Sequence, residues 1–177
     1  ARSVASCSQW NQFFKGCKMN EKENVCITKQ GNTLVLRINR PEINCKINRA
    51  TGKQIIDAIS VANSDPDISC IVLTGTGEYF CGGGEVDNHP YGTLNDYVRY
   101  SEAFCNVHYA IYDSFKPVIA AVQGKAVAGG FSLVDACDLA VCSEDSVFAL
   151  PEIKHSLFPM MGLGTTGKCM RKKRVLK

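Results

Sequence analysis

The stretch IVLTGTGEYFCGGGEVD, residues 71–87, runs from a continuous apolar segment into three consecutive glycines. The apolar segment begins at Ile68 (ISCIVLT, 68–74) and shows no polar alternation, which predicts a strand buried on both faces in a largely parallel sheet. Glycine lets a backbone N–H approach a ligand with no Cβ in the way. A second glycine turn, Gly129–Gly130, comes after another apolar run, PVIAAV (117–122). Two N–H donors from two separate loops are what holds a carbonyl oxygen as it becomes an enolate or a tetrahedral oxyanion. A nucleotide reading is weak: GTGEYF (75–80) opens like a dinucleotide fingerprint but has Phe80 at the third glycine position, and no phosphate-loop GK[ST] occurs.

Outward from this stretch, strands alternate with helices. TLVLRIN (33–39) alternates apolar and polar residues and stops at Pro41, so it predicts a strand. Asn48 is placed to cap a helix running to about Asn63, with Ile55, Ile56, Ile59 and Ala62 on one stripe. Residues 91–115 read as mostly helix, GKAVAGGFSLVDACD (124–138) as a turn into a short helix, and LAVCS (139–143) as a further buried strand. This order predicts an α/β domain with much parallel pairing. The sequence shows no internal repeat.

With 177 residues, the chain is long enough for one substantial core. No apolar run approaches the roughly 20 residues that span a bilayer, so no membrane partner is expected. The formal charge of +3 sits at the ends: residues 21–167 hold 11 Lys and Arg against 17 Asp and Glu, a net of −6. That acidic body argues against a nucleic-acid partner. Ten cysteines without CxxC pairs or a secretory leader point to reduced thiols, with Cys70, Cys137 and Cys142 acting as small apolar residues. His89, His108 and His155 do not pair with cysteine at ligand spacing, so no metal is expected. Met19 opens the patterned part, which divides the chain into a leader, tag or targeting remnant (1–18), a core domain (19–167) and a basic tail (168–177).

The segments LVLRINRPE (34–42), IVLTGTGEYFCGGGEVD (71–87), KPVIAAVQGKAVAGGFSL (116–133), ACDLAVCSEDSVFALPE (136–152) and LFPMMGLGTT (157–166) together resemble the crotonase superfamily, the enoyl-CoA hydratase/isomerase group. The resemblance covers about residues 25–167. It implies a crotonase-like α/β fold, a spiral of ββα units, here without the usual C-terminal helical region. It also implies an acyl-CoA thioester as partner, with CoA entering as part of the substrate and no separate cofactor. The thioester oxygen would sit between the amides of Gly82 and Gly129. Similar hydratases use two glutamates, and the corresponding positions here are Ser132 and Glu152. A hydroxyl is no general base near neutral pH unless another base activates it. One carboxylate still suffices to move a proton between carbons, and isomerases of the superfamily resemble that pattern. Three functions therefore stay open: a double-bond shift through an enolate, hydration of an enoyl-CoA, or a non-catalytic acyl-CoA or protein-binding module. The resemblance implies relatives that assemble as homotrimers or hexamers, and the reduced thiols lead to the expectation of a reducing compartment for this chain, cytoplasm or mitochondrion.

For the CoA moiety, NCKIN (44–48) stands where similar chains hold the adenine, which makes Lys46, Cys45 and Gly83 candidate contacts, while Asp87 occupies a region often basic in relatives. Cys81 reads as packing rather than as a nucleophile. Glu85 reads as a turn or helix cap. His89, His108 and His155 are candidate polar contacts without a partner visible in the sequence.

Overall fold

The computed structural model describes residues 23–85, 93–156 and 158–170. Four ββα units follow one another along them. The first is β1 (Val25–Gln30), β2 (Thr33–Ile38) and α1 (Arg49–Ser64); the second is β3 (Cys70–Thr74), β4 (Tyr79–Cys81) and α2 (Leu94–Tyr112). The third is β5 (Val118–Val122), β6 (Lys125–Val127) and α3 (Gly129–Ala136); the fourth is β7 (Leu139–Cys142), β8 (Val147–Ala149) and α4 (Met160–Cys169). The larger sheet has the order β1-β2-β3-β5-β7, antiparallel only at β1–β2, and the smaller has the order β4-β6-β8, all parallel. Each of the last three units thus gives its first strand to one sheet and its second to the other.

The predicted strands at 33–39, 68–74, 117–122 and 139–143 are all present, within a residue or two of their ends. Asn48 stands in extended conformation before α1, and its Oδ1 accepts from both the amide and the hydroxyl of Thr51, each at 2.9 Å. That is the N-cap that the sequence predicts. The stripe is buried at Ile55, Ile59 and Ala62, with Ile56 partly covered, and it packs into the same core as Leu34, Leu36, Ile71, Leu73 and Val118. Against α1 lies α2: a Cβ on Gly52 would sit 3.2 Å from Val107 Cγ2, so the two helices approach closely there.

Other features differ from the sequence expectation. Strands β4, β6 and β8 have three residues each, too short to show a period of two, so they leave no local pattern, and the spiral of ββα units is legible only through the family resemblance. Strand β7 is not buried: Leu139 is 60% and Val141 47% exposed, and Cys142 is exposed as well. It is the last strand of the larger sheet among the described residues, and both of its faces are exposed. All eight cysteines among the described residues are free thiols. No helix among them is long and apolar enough to cross a membrane.

Replacing Asn48 by Ala removes both acceptor interactions at the start of α1 and is expected to cost about 1 kcal/mol. Asn48→Asp keeps the capping oxygen but sets a second carboxylate against Glu85, so it is expected to recover only part of the loss; urea unfolding with an unchanged slope measures both.

Candidate active site

Because β4, β6 and β8 are parallel neighbours, their C-terminal ends lie at one edge of the smaller sheet. The residues that follow them are Gly82 and Gly83 after β4, Gly129 after β6, and Glu152 after β8. The open edge at the carboxyl ends of parallel strands is where α/β folds tend to gather ligand-binding groups. The junctions are fastened together. Val127 pairs with Ala149, and the Ala128 amide donates to the Ala149 carbonyl at 2.8 Å, which ties the strand before Glu152 to the residue before Gly129. Gly130 lies so close to β4 that a Cβ on it would be 2.0 Å from the Cys81 carbonyl oxygen.

Gly129 opens α3 at a position where an amide has no acceptor within the helix, and it finds no hydrogen-bond partner among the described residues. The Phe104 ring of α2 packs against its Cα: a Cβ there would meet Phe104 Cζ at 2.6 Å. Across from it stands Gly83, with φ +94, where a Cβ would lie 3.1 Å from the Gly129 nitrogen. Only a glycine takes that φ and lets the two turns approach so closely. The Gly82 amide is engaged differently, donating to the Asn44 carbonyl at 2.8 Å. The Gly83 amide points to Cys81 Sγ at 3.3 Å, a weak acceptor. Of the two amides expected to meet in an oxyanion hole, Gly129 is therefore free and Gly82 is held by the chain itself.

Glu152 lies in the 3-10 turn Pro151–His155. Its Oε2 is enclosed and has no hydrogen-bond partner, the one such side-chain atom among the described residues. An enclosed carboxylate oxygen without a donor is costly unless something else uses it.

Ser132 sits one turn into α3 and is fully buried. Its Oγ donates to the Gly129 carbonyl at 2.8 Å and lies 3.1 Å from His108 Nε2. His108 is thus given a partner that the sequence did not reveal. The available signal is the stripe Phe104, Val107, His108, Ile111 on α2: histidine occupies a buried position among three apolar ones. Burial holds the His108 imidazole below its ordinary range, outweighing the opposing pull of the Phe104 carbonyl and Ser132.

The remaining candidates fall into place around the glycine turn. Cys81 is buried and its thiol is pushed up to about 12 by burial, as expected for packing and not for a nucleophile. Glu85 is no helix cap: it takes Arg40 Nη1 at 2.7 Å, while the same Nη1 reaches the Lys46 carbonyl at 3.0 Å. That guanidinium holds the Glu85 carboxyl below its usual range and ties the 44–48 loop to the glycine turn. Cys45, expected near the CoA moiety, is turned inward: it is fully buried, and its Sγ lies 3.5 Å from the Ile38 carbonyl and 3.3 Å from that of Thr76. The thiol is thereby removed from any ligand. Lys46 lays its aliphatic stem beside Gly82, with Cγ 3.4 Å from where a Cβ would stand. His89 and Asp87 lie outside the described residues, as does the side chain of His155. Among the described residues there is no cluster of metal-ligating side chains.

Two glycine turns and an enclosed carboxylate thus stand at one sheet edge. The model of the enoyl-CoA hydratase/isomerase family matches residues 28–174, so the chain belongs to that family. It is similar to the enoyl-CoA hydratase EchA19 of Mycobacterium tuberculosis, 32% identical over 139 residues, which cover 77% of this chain and 52% of that protein. It is also similar to the carnitinyl-CoA dehydratase of Salmonella enteritidis, 36% identical over 141 residues, covering 79% and 53%. Among solved structures, an enoyl-CoA hydratase of Mycobacterium smegmatis superposes with a TM-score of 0.83 at 25% identity, covering 88% of this chain and 61% of that one. An enoyl-CoA hydratase from Polaromonas gives 0.80 at 29% identity, covering 84% and 60%. The fold is therefore that of the crotonases, and the chain spans about half the length of the curated relatives it matches.

Ala128 precedes this site with φ 52 and ψ −126, a backbone conformation natural to glycine and strained by order 1–3 kcal/mol for other residues. Ala128→Gly is expected to stabilise the chain by about 1 kcal/mol in urea unfolding, the relief of strain exceeding the added freedom of the unfolded chain. His108 supplies a second expectation. Its folded-state affinity for protons is below the unfolded one, so its contribution to stability is intact above about pH 6.5 and is lost as the pH falls through its lowered folded value. Melting temperatures between pH 7.5 and 5 should fall less steeply for His108→Gln than for the parent.

Proposed function

We propose that the chain shifts a double bond in an enoyl-CoA thioester through an enolate. The observation that carries this reading is the enclosed, unpartnered Oε2 of Glu152 at the strand edge it shares with Gly129. Glu152 takes the proton from the carbon next to the thioester carbonyl and returns it two carbons further along, so one carboxylate serves as both base and acid. Negative charge gathers on the thioester oxygen, and the Gly129 amide is the donor open to it. The Gly82 amide joins by exchanging the Asn44 carbonyl for that oxygen. Lys46, whose stem runs along Gly82, is proposed to reach the CoA phosphates. CoA is part of the substrate.

Addition of water to a 2-enoyl-CoA is the second reading. The names of the relatives favour it, a hydratase and a dehydratase, and so does the presence of His108 behind Ser132.

Proton NMR of the chain with a 3-enoyl-CoA in D₂O separates these outcomes. A double bond moved into conjugation, with deuterium in the product, supports the isomerase; a 3-hydroxyacyl product from a 2-enoyl-CoA supports the hydratase. Glu152→Gln is expected to lower either rate by about 100-fold or more while acyl-CoA binding, followed calorimetrically, survives. Equal turnover by the variant removes Glu152 from the mechanism. Binding without turnover by the parent makes the chain an acyl-CoA-binding module.

A further inference from the structure

One buried polar chain is unused by a single-carboxylate mechanism. His108 Nδ1 lies 3.0 Å from the Phe104 carbonyl oxygen, His108 Nε2 lies 3.1 Å from Ser132 Oγ, and Ser132 Oγ lies 2.8 Å from the Gly129 carbonyl oxygen. A carbonyl oxygen only accepts, so Nδ1 carries its hydrogen in either charge state of the ring. In the neutral ring Nε2 then directs a lone pair at Ser132. The hydroxyl has one proton and two acceptors facing it, Nε2 and the Gly129 carbonyl. One added proton resolves the shortage: Nε2–H donates to Oγ, Oγ–H donates to Gly129, and every polar atom of the chain is matched.

We infer that Ser132 and His108 form a relay with room for one proton beside Gly129, a second acid/base group in addition to Glu152. The inference rests on the proposed reading of the site as one that handles enoyl thioesters, and it names hydration and its reverse as the chemistry served. A water oxygen bonds to the β-carbon of a 2-enoyl thioester. One O–H bond of the water breaks, its proton passing to Ser132 Oγ as the Ser132 proton moves to His108 Nε2. The alkene electrons pass into the enolate, and protonated Glu152 supplies the proton for the α-carbon. His108 afterwards loses its proton to solvent and Glu152 regains one, so the net change is one water added. In elimination the same proton returns from Nε2 through Ser132 to the departing hydroxide.

The surroundings leave this proton to the couple. Asp135, the acid of α3, accepts from Thr166 of α4; Lys53 and Asp57 of α1 pair with each other at the surface; and Cys81 of β4 is held as the thiol by burial. Burial keeps the His108 ring neutral near pH 7, so its lone pair is open when a proton arrives.

The test joins a titration to kinetics. In ¹⁵N-histidine-labelled chain, with the His108 signals identified by their loss in His108→Gln, neutral His108 is expected to carry its hydrogen on Nδ1. Ser132→Ala is expected to lower the pH at which His108 protonates, because the imidazolium loses its acceptor. A hydrogen on Nε2 in the neutral ring, or equal midpoints in parent and Ser132→Ala, overturns the relay whether or not the chain turns over substrate. Glutamine at 108 still hydrogen-bonds Ser132 but stores no proton. His108→Gln should therefore lower kcat for hydration of a short 2-enoyl-CoA by about 100-fold with little change in KM. Its loss in hydration should exceed its loss in deuterium exchange at the α-carbon of a saturated acyl-CoA by about 30-fold or more. Equal losses in the two reactions reduce His108 to a packing role and overturn the proposal. A parent chain that neither exchanges nor hydrates defeats the proposed function instead, and the titration still decides the relay.

Discussion

The approach of α3 to strand β4 governs the rest of the molecule. Gly130 stands where a single added carbon would lie 2.0 Å from the Cys81 carbonyl, and Gly129 where one would lie 2.6 Å from the Phe104 ring. Such distances leave no slack for a side chain, so the start of α3 is pressed at once onto the smaller sheet and onto α2. With that contact fixed, the third ββα unit can only stack on the second, and the Gly129 amide is presented at the edge where β4, β6 and β8 end. The strain at Ala128 belongs to the same contact, because the chain must turn sharply between β6 and α3 to make it.

The site is accordingly a product of topology more than of any one loop. Three short parallel strands bring residues 82, 129 and 152 to one edge although they are separated by dozens of positions in the chain. Long-range hydrogen bonds then fix the loops to each other: Gly82 to Asn44, Ile47 to Gly83, Ala128 to Ala149, and Arg40 to both Lys46 and Glu85. The Arg40–Glu85 pair is partly sheltered and charge-assisted, which makes it a better tie than the exposed Lys53–Asp57 pair on α1. Rigid ties of this kind keep a free amide and an unpartnered carboxylate from collapsing onto each other.

Much of this was legible beforehand, for stated reasons. Asn48 announces α1 because capping is a local event between a side chain and an amide three residues on. The runs around Ile71 and Val118 announce buried parallel strands because both of their faces are covered. The crotonase fold was recognisable from five segments in family order, and from it came the interest in Gly82, Gly129, Ser132 and Glu152. Features set by distant contacts were not legible. Strands of three residues carry no periodic signal, Leu139 and Val141 look like core until their place at a sheet edge is known, and Cys45 sits in a binding-loop pattern while its thiol faces inward. His108 meets Ser132 only because α2 crosses α3, an event 24 residues away that no local pattern encodes.

The uncovered edge of the larger sheet bears on how the chain behaves among its own kind. Among the described residues, strand β7 offers a row of backbone donors and acceptors on its outer side, flanked by the exposed apolar side chains of Leu139 and Val141. A parallel edge of that composition is a template on which another strand can add, whether from a different chain or from a second copy. Concentration then decides the outcome, because the side of the strand left unpaired among the described residues is where a sheet can be extended.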